Sequence, residues 1–254
     1  MKKILAGLSF VLLLACGPVL AQESGDGEPL HDAAKINARL AVEYMKQGQL
    51  AIAQEKIDKA LQQNSRDPGV QMAAGLLYEQ LREADKAEQH YRLALKHGSN
   101  NPAAQNALGA FYCRNGQPKK GEATFLEAAR NPLYRTPEVA YTNAGVCARR
   151  AGRLDEAEEY LRRATTQRNP YPEALLQMAN VSFERRNYLQ ARAFLERYLQ
   201  TTSGTAGVML LGYQVESALD APDKASEYAA RLKSSFPDSP EARTLEELVY
   251  KGAE

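Results

Sequence analysis

Apolar positions along this chain follow two spacings at once. Within short stretches they recur every three or four residues, the pattern of a helix with one apolar stripe. Over longer distances, small residues recur at Ala41, Gly75, Gly109, Gly145, Ala179 and Gly212, at intervals of 34, 34, 36, 34 and 33 residues. Twelve residues after each of the first five come Ala53, Ala87, Gly121, Ala157 and Ala191, while Ala225 follows Gly212 one residue late. Tyr44, Tyr78, Tyr112, Ile57, Tyr91, Phe125 and Leu161 supply bulk between them. Two helices cross closely only where a small side chain sits at the contact, so the pattern predicts six helix–turn–helix units. They fall near 34–67, 68–101, 102–135, 138–171, 172–204 and 205–239. Gly48, Gly116 and Gly152, each seven residues after a small residue, mark turns; Pro68, Pro102, Pro172 and Pro237 punctuate unit ends.

A 34-residue period with small residues at two fixed phases is the signature of the tetratricopeptide repeat, TPR. The expected fold class is all-α, a right-handed superhelical solenoid of about six repeats. No single repeat buries its own apolar faces, and stacking makes one continuous core. Residues 240–254 are expected to form a capping helix and tail, opened by Ser239 and Pro240, with Leu245, Leu248 and Val249 on one face. Two irregularities interrupt the period: a longer connection from Asn131 to Pro137 and a degenerate sixth repeat near Ala221 and Pro222.

Residues 1–21 read as an export signal. Lys2 and Lys3 precede the apolar run Ile4 to Ala15, which is too short to span a bilayer. Leu13-Leu14-Ala15-Cys16 fits a lipobox, with Cys16 as the acylated first residue, and Gly17 after it favours the outer membrane. Val19-Leu20-Ala21 fits ordinary cleavage before Gln22, which gives a soluble periplasmic protein instead. Residues 22–33, polar and Gly-containing, read as a flexible tether to the first repeat.

Composition narrows the function classes. Charged residues make up 25% of the chain and apolar ones 44%, as in an ordinary folded domain. Loss of Lys2 and Lys3 takes the formal charge from +1 to −1, leaving no electrostatic case for nucleic acid or an anionic membrane. His31, His90 and His97 lack metal-ligand spacing, and no phosphate loop, GxSxG or HExxH motif occurs. The sequence therefore predicts a protein-binding module without cofactor or metal, and not an enzyme.

Two sets of residues stand out. Cys113 and Cys147 are the thiols left after Cys16 in an exported, oxidising setting. They lie on neighbouring first helices with a small axial offset, so a disulfide between repeats 3 and 4 is expected. The second set lines the concave face at first-helix positions: Val42, Met45, Met72, Leu76, Asn106, Val146, Asn180 and Phe183. The first two repeats thus offer an apolar, Met-containing patch suited to an amphipathic helix or apolar strand. Few Lys or Arg occupy these positions, which argues against a basic clamp for acidic C-termini.

LGAFYCRNGQ at 108–117, NPLY at 131–134, AYTNAGVCARRAGRLDEAEEYLRRA at 140–164 and ALLQMANVSFERRNYLQAR at 174–192 carry a resemblance over essentially the whole mature chain. With the export signal and the long third-to-fourth connection, the chain resembles the type IV pilus biogenesis and stability lipoproteins, the PilF/PilW pilotin group. The resemblance implies an adaptor on the periplasmic face of the outer membrane that aids localisation, multimerisation or stability of the pilus secretin, with effects on twitching motility. Other pilus assembly proteins are further partners it implies. The TPR framework by itself equally suits a scaffold or regulator of another envelope machine, such as barrel assembly or a cell-wall hydrolase or synthase.

Overall fold

The computed structural model describes residues 27–98, 101–132, 134–167 and 171–251. Among these, thirteen α-helices and no strands occur. Six antiparallel pairs follow one another: α1 (Gly27–Lys46) with α2 (Leu50–Asn64), α3 (Pro68–Gln80) with α4 (Ala84–His97), and α5 (Pro102–Arg114) with α6 (Pro118–Arg130). Then come α7 (Pro137–Arg150) with α8 (Leu154–Thr165), α9 (Pro172–Glu184) with α10 (Tyr188–Leu199), and α11 (Ala206–Ala218) with α12 (Pro222–Ser235). A last helix, α13 (Pro240–Lys251), packs on α11 and α12. The odd-numbered helices stack on one another in sequence, and each even helix also touches the odd helix that follows it.

The repeat is held by one small-to-large contact per pair. Each small residue faces the side chain sixteen positions later: Gly75 meets Tyr91, Gly109 meets Phe125, Gly145 meets Leu161 and Gly212 meets Tyr228. A β-carbon at Gly75 would stand 2.9 Å from the Tyr91 ring, and one at Gly109 would stand 2.8 Å from Phe125. Such distances force the helices apart, so the period fixes the crossing. Ala41 with Ile57 and Ala179 with Leu195 occupy the same register, and all four are buried.

Turns between paired helices need one residue with left-handed backbone. Gly48, Gly116 and Gly152 supply it at φ of 72°, 71° and 74°. Arg82, Arg186 and Asp220 hold the equivalent place at 61°, 59° and 54°, a strain of about 1 kcal/mol each. Asp220 comes one residue late relative to Gly212, as Ala225 does, so the extra residue of the sixth repeat lies before this turn.

Helix starts are individually specified. Asp67 Oδ1 accepts from the backbone N–H of Gly69 and Val70 at 2.8 and 3.0 Å, and Asn101 Oδ1 accepts from Ala103 at 2.9 Å. Pro68, Pro102, Pro118, Pro137, Pro172 and Pro222 sit in the first turn of their helices, where no N–H is required.

Both ends differ from the reading of the sequence. The span 22–33 was expected to be a tether, yet α1 is already formed at Gly27; Pro29 stands in its first turn, where a missing N–H breaks no helical bond. At the other end Ser239 Oγ accepts from Ala242 N at 3.1 Å, and the helix buries Ala242 and Leu245. Val249, placed with Leu245 in the sequence reading, is 47% exposed instead, because the buried stripe runs through Ala242 and Leu245 at three-residue spacing. The export signal and Cys16 lie outside the described residues.

Candidate protein-binding groove

The odd-numbered helices line one face of the stack. Between α1 and α3 this face opens into a pocket of about 570 Å³, lined by Lys35, Ala38, Arg39, Val42, Glu43, Asp67, Gly69, Val70 and Ala73. Ala38, Val42, Val70 and Ala73 make its floor apolar, and two cations and two carboxylates stand around it. The pocket exists because the wall residues are small: Gly69 and Ala73 on α3 face Ala38 on α1. Asp67 is already committed to capping α3.

The eight residues expected in the groove divide on inspection. Val42 lines the pocket, half-buried. Leu76 and Met72 are half-buried on α3, outside the pocket lining, with Leu76 packed against the core of the first two repeats. Met45 is not a groove residue: it is 4% exposed and belongs to the core formed with Ala41, Ile57 and Ala74. Met45, in the last turn of α1, is covered by the core that the first two repeats share. Val146 is half-buried on α7. Asn106 Nδ2 donates to Tyr134 Oη at 2.5 Å, and Asn180 Nδ2 donates to the Leu176 carbonyl of its own helix at 2.9 Å. Phe183 turns toward the α9–α10 turn, its ring 5.7 Å from that of Tyr188.

The sequence reading also misses the charged rim. Lys35 and Arg39 flank the pocket, although few cations were expected on this face. Lys35 stands 34 residues before Gly69, another lining residue, so the repeat itself relates the two; Arg39 and Glu43 lie one position after Ala38 and Val42, and helical periodicity alone assigns them to solvent. Lys35 lies 3.9 Å from Asp32, and Glu43 is bonded to Lys46 at 2.8 Å, so the rim is nearly neutral.

The C-terminal ends of neighbouring odd-numbered helices are clasped. Cys113 on α5 and Cys147 on α7 form a disulfide with their Cα atoms 5.7 Å apart. On one side of it Arg114 pairs with Glu79 on α3, and on the other Arg149 on α7 donates to Glu184 at 2.6 Å. The separations along the chain are 35, 34 and 35 residues, one repeat each. Gly121 belongs to the same arrangement: a β-carbon there would overlap Cys113 Sγ and stand 2.8 Å from the Gly109 carbonyl. Behind the disulfide, Glu122 is 3% exposed and is held by both terminal nitrogens of Arg153, one at 2.8 Å.

Two titratable groups near the second repeat are shifted by their surroundings. His90 stacks on Tyr78 with ring centroids 5.2 Å apart, and its Nδ1 lies 2.7 Å from Gln71 Oε1. Gln71 donates through Nε2 to the Ser65 carbonyl, so its oxygen accepts and the Nδ1–H tautomer of His90 satisfies both. Burial, and then the Lys86 ammonium, lower the imidazole pKa. Burial raises that of the Tyr112 hydroxyl, which donates to Glu88 at 2.9 Å. Among the described residues no cluster of His, Cys, Asp and Glu is arranged to hold a metal, and no helix is long and apolar enough to cross a membrane.

Comparison with known proteins matches this architecture. One tetratricopeptide repeat model matches residues 39–104 and again 112–172, and a second such model matches 148–211. The type IV pilus assembly protein PilF of Pseudomonas aeruginosa is 26% identical over 237 residues, covering 91% of this chain and 94% of that protein. The crystal structure of PilW, a widely conserved type IV pilus biogenesis factor, superposes with a TM-score of 0.72 at 29% identity, covering 84% of this chain and 97% of PilW. That of P. aeruginosa PilF gives 0.68 at 23% identity, covering 86% and 99%. The chain belongs to the tetratricopeptide repeat family and is homologous to the PilF and PilW proteins of type IV pilus biogenesis.

Proposed function

We propose that this chain is a non-enzymatic adaptor in type IV pilus biogenesis, held at the periplasmic face of the outer membrane, that helps the pilus secretin reach or keep its multimeric state. The observation that carries the reading is the correspondence with PilF, which covers 91% of this chain and 94% of that protein. The apolar pocket between α1 and α3 supports it chemically. A floor of Ala38, Val42, Val70 and Ala73 suits apolar side chains of a partner segment, while the balanced rim favours no strongly charged terminus. Acylation at Cys16 would anchor the repeats near the secretin; cleavage after Ala21 would release them into the periplasm.

The test is the state of the secretin in a deletion strain, read on unheated gels of outer-membrane fractions. Loss of the heat-resistant multimer, restored by the wild-type chain, supports the reading. A normal multimer removes secretin assembly as the function and leaves either a later role in pilus stability or a scaffold of another envelope machine as the role to pursue.

A further inference from the structure

A stack of repeats has two ends, and here only one of them is finished. At the far end α13 stands where a seventh first helix would: Leu245 follows Leu211 by 34 residues and is buried. Beyond it Arg243, Thr244, Glu246 and Glu247 are exposed, the polar outer face that a terminal repeat needs for solubility. The first repeat has no such face.

Ile36 and Leu40 of α1 hold the positions with which later repeats pack on the repeat before them. Ile36 corresponds to Val70, Ala104, Ala140 and Ala174, all 0% exposed, yet is itself 50% exposed. Leu40 corresponds to Ala74, Leu108, Ala144, Met178 and Leu211, all buried, and is 42% exposed. What covers these positions is visible inside the molecule. Leu108 shares a core with Tyr91, Ala144 with Phe125 and Met178 with Leu161, each a side chain of the preceding repeat. Ile52, also exposed, extends the patch from α2. Repeats 2 and 3 carry Lys86 and Lys120 in its register, over the rings of Tyr78 and Tyr112; the first repeat puts isoleucine there, at the same spacing from Tyr44. An apolar patch in the register of a repeat joint calls for a helix to cover it.

We propose that this end of the stack is a two-fold interface whose occupant is the same end of a second copy of this chain. Side-chain size and charge both select that occupant. Each later joint has Ala or Gly at one or both of the two positions, whereas Ile36 with Leu40 is bulkier than any of those pairs. Two large residues one turn apart suit ordinary ridge-into-groove helix packing better than one more stacked repeat. Asp32 lies four residues before Ile36 and Arg39 three after it, on one flank of α1, and both are exposed. Antiparallel α1 helices meeting at Ile36 therefore set Asp32 of each copy beside Arg39 of the other, with Leu40 of each over Ala33. Asp32 is free to re-pair, since its contact with Lys35 is 3.9 Å long and exposed on both sides. An isologous contact closes at two copies. The end of one helix pair is small beside the about 800 Å² per partner of a standard interface, so the expected Kd is about 10 to 100 μM. This face is distinct from the groove and does not depend on the secretin being a partner.

Sedimentation equilibrium of the mature chain beginning at Gln22, from about 1 μM to about 1 mM, tests the interface. The wild-type chain passes from one copy to two across that range. Ile36→Glu weakens dimerisation at least about tenfold, with helical circular dichroism and melting temperature unchanged. Leu189→Glu, at an exposed leucine of α10, leaves it unchanged. Asp32→Arg and Arg39→Asp each weaken it by about threefold, and the two together restore it, a compensation that only a second copy produces. A chain that stays monomeric at the highest concentration, a dimer indifferent to Ile36→Glu, or a double exchange no better than either single one overturns the proposal. Co-sedimentation of a monomeric chain with phosphatidylethanolamine–phosphatidylglycerol vesicles, lost in Ile36→Glu, also overturns it and assigns the face to a lipid surface. No secretin enters these measurements, so their outcome is independent of the deletion experiment.

Discussion

Arg114 on α5 grips Glu79 on α3 with two parallel hydrogen bonds, Nε to Oε1 at 2.5 Å and Nη2 to Oε2 at 2.9 Å. Glu79 is 15% exposed on its side chain and also accepts from Tyr91 Oη at 3.1 Å, whereas the Arg114 side chain is 47% exposed. Solvent screening at the arginine limits the pair to about 1 kcal/mol despite its fork geometry. A double-mutant cycle with Arg114→Met and Glu79→Gln, read by urea unfolding, is expected to return a coupling of about that size. A coupling near zero would mean that the Tyr91 bond alone positions Glu79.

The disulfide closes a loop of 34 residues between Cys113 and Cys147. In the chain-entropy model such a loop stabilises by about 3 to 4 kcal/mol, so the Cys113→Ser/Cys147→Ser double variant should lose that much in urea unfolding. Gly121→Ala should cost about 1 to 3 kcal/mol in the oxidised protein through overlap with Cys113 Sγ. An oxidised Gly121→Ala protein as stable as wild type would show that the sulfur can move aside.

Val42→Glu and Leu76→Glu place a carboxylate on half-buried positions of the groove face. Both variants are expected to keep their helical circular dichroism and melting temperature within a few degrees, while binding to the purified secretin falls at least about tenfold. Met45→Glu is the contrasting case. It buries a charge in the joint between the first two repeats and should lose several kcal/mol of stability. Normal secretin binding by both groove variants would exclude this part of the face.

His90 makes stability depend on pH in a definite direction. Its folded pKa lies below the ordinary imidazole value, so the unfolded chain binds the proton more readily. The contribution is complete above about pH 6.5 and is lost as pH falls through that value toward the lowered folded pKa. Chemical unfolding at pH 7.5 and pH 5.5 should therefore show a drop that His90→Phe removes. The same drop in His90→Phe would assign it to other groups.

The sequence and the structure agree where packing is strictly periodic. Gly75 against Tyr91 and Gly109 against Phe125 repeat a steric demand in every unit, and a steric demand at fixed spacing is visible as residue size alone. The left-handed turns were legible for Gly48, Gly116 and Gly152, but Arg82, Arg186 and Asp220 hide the same geometry behind residue types that do not advertise it. Met45 was misplaced because a helical wheel gives the side of the helix and not where the next repeat begins to cover it. The partners of Glu79 and Arg149 were invisible for another reason. Surface charges one repeat apart are common in such a chain, and only the stacking angle decides which of them meet. Tyr134 was noticed as part of an irregular connection, yet nothing in residue type foretold that it would fold back onto Asn106.

The bonds that join one repeat to the next are unevenly distributed along the stack. Disulfide or ion-pair bonds tie the second, third, fourth, fifth and sixth repeats to their neighbours, through Glu79–Arg114, Cys113–Cys147, Arg149–Glu184 and Arg192–Glu216. Among the described residues no ion pair crosses from the first repeat to the second, and that joint rests on the contact of Ala38, Ala41, Ala73 and Ala74 with their neighbours. The first joint, beside the pocket between α1 and α3, is therefore held by a buried apolar cluster whose strength does not depend on salt, whereas the partly exposed charged pairs of the later joints weaken as ionic strength rises.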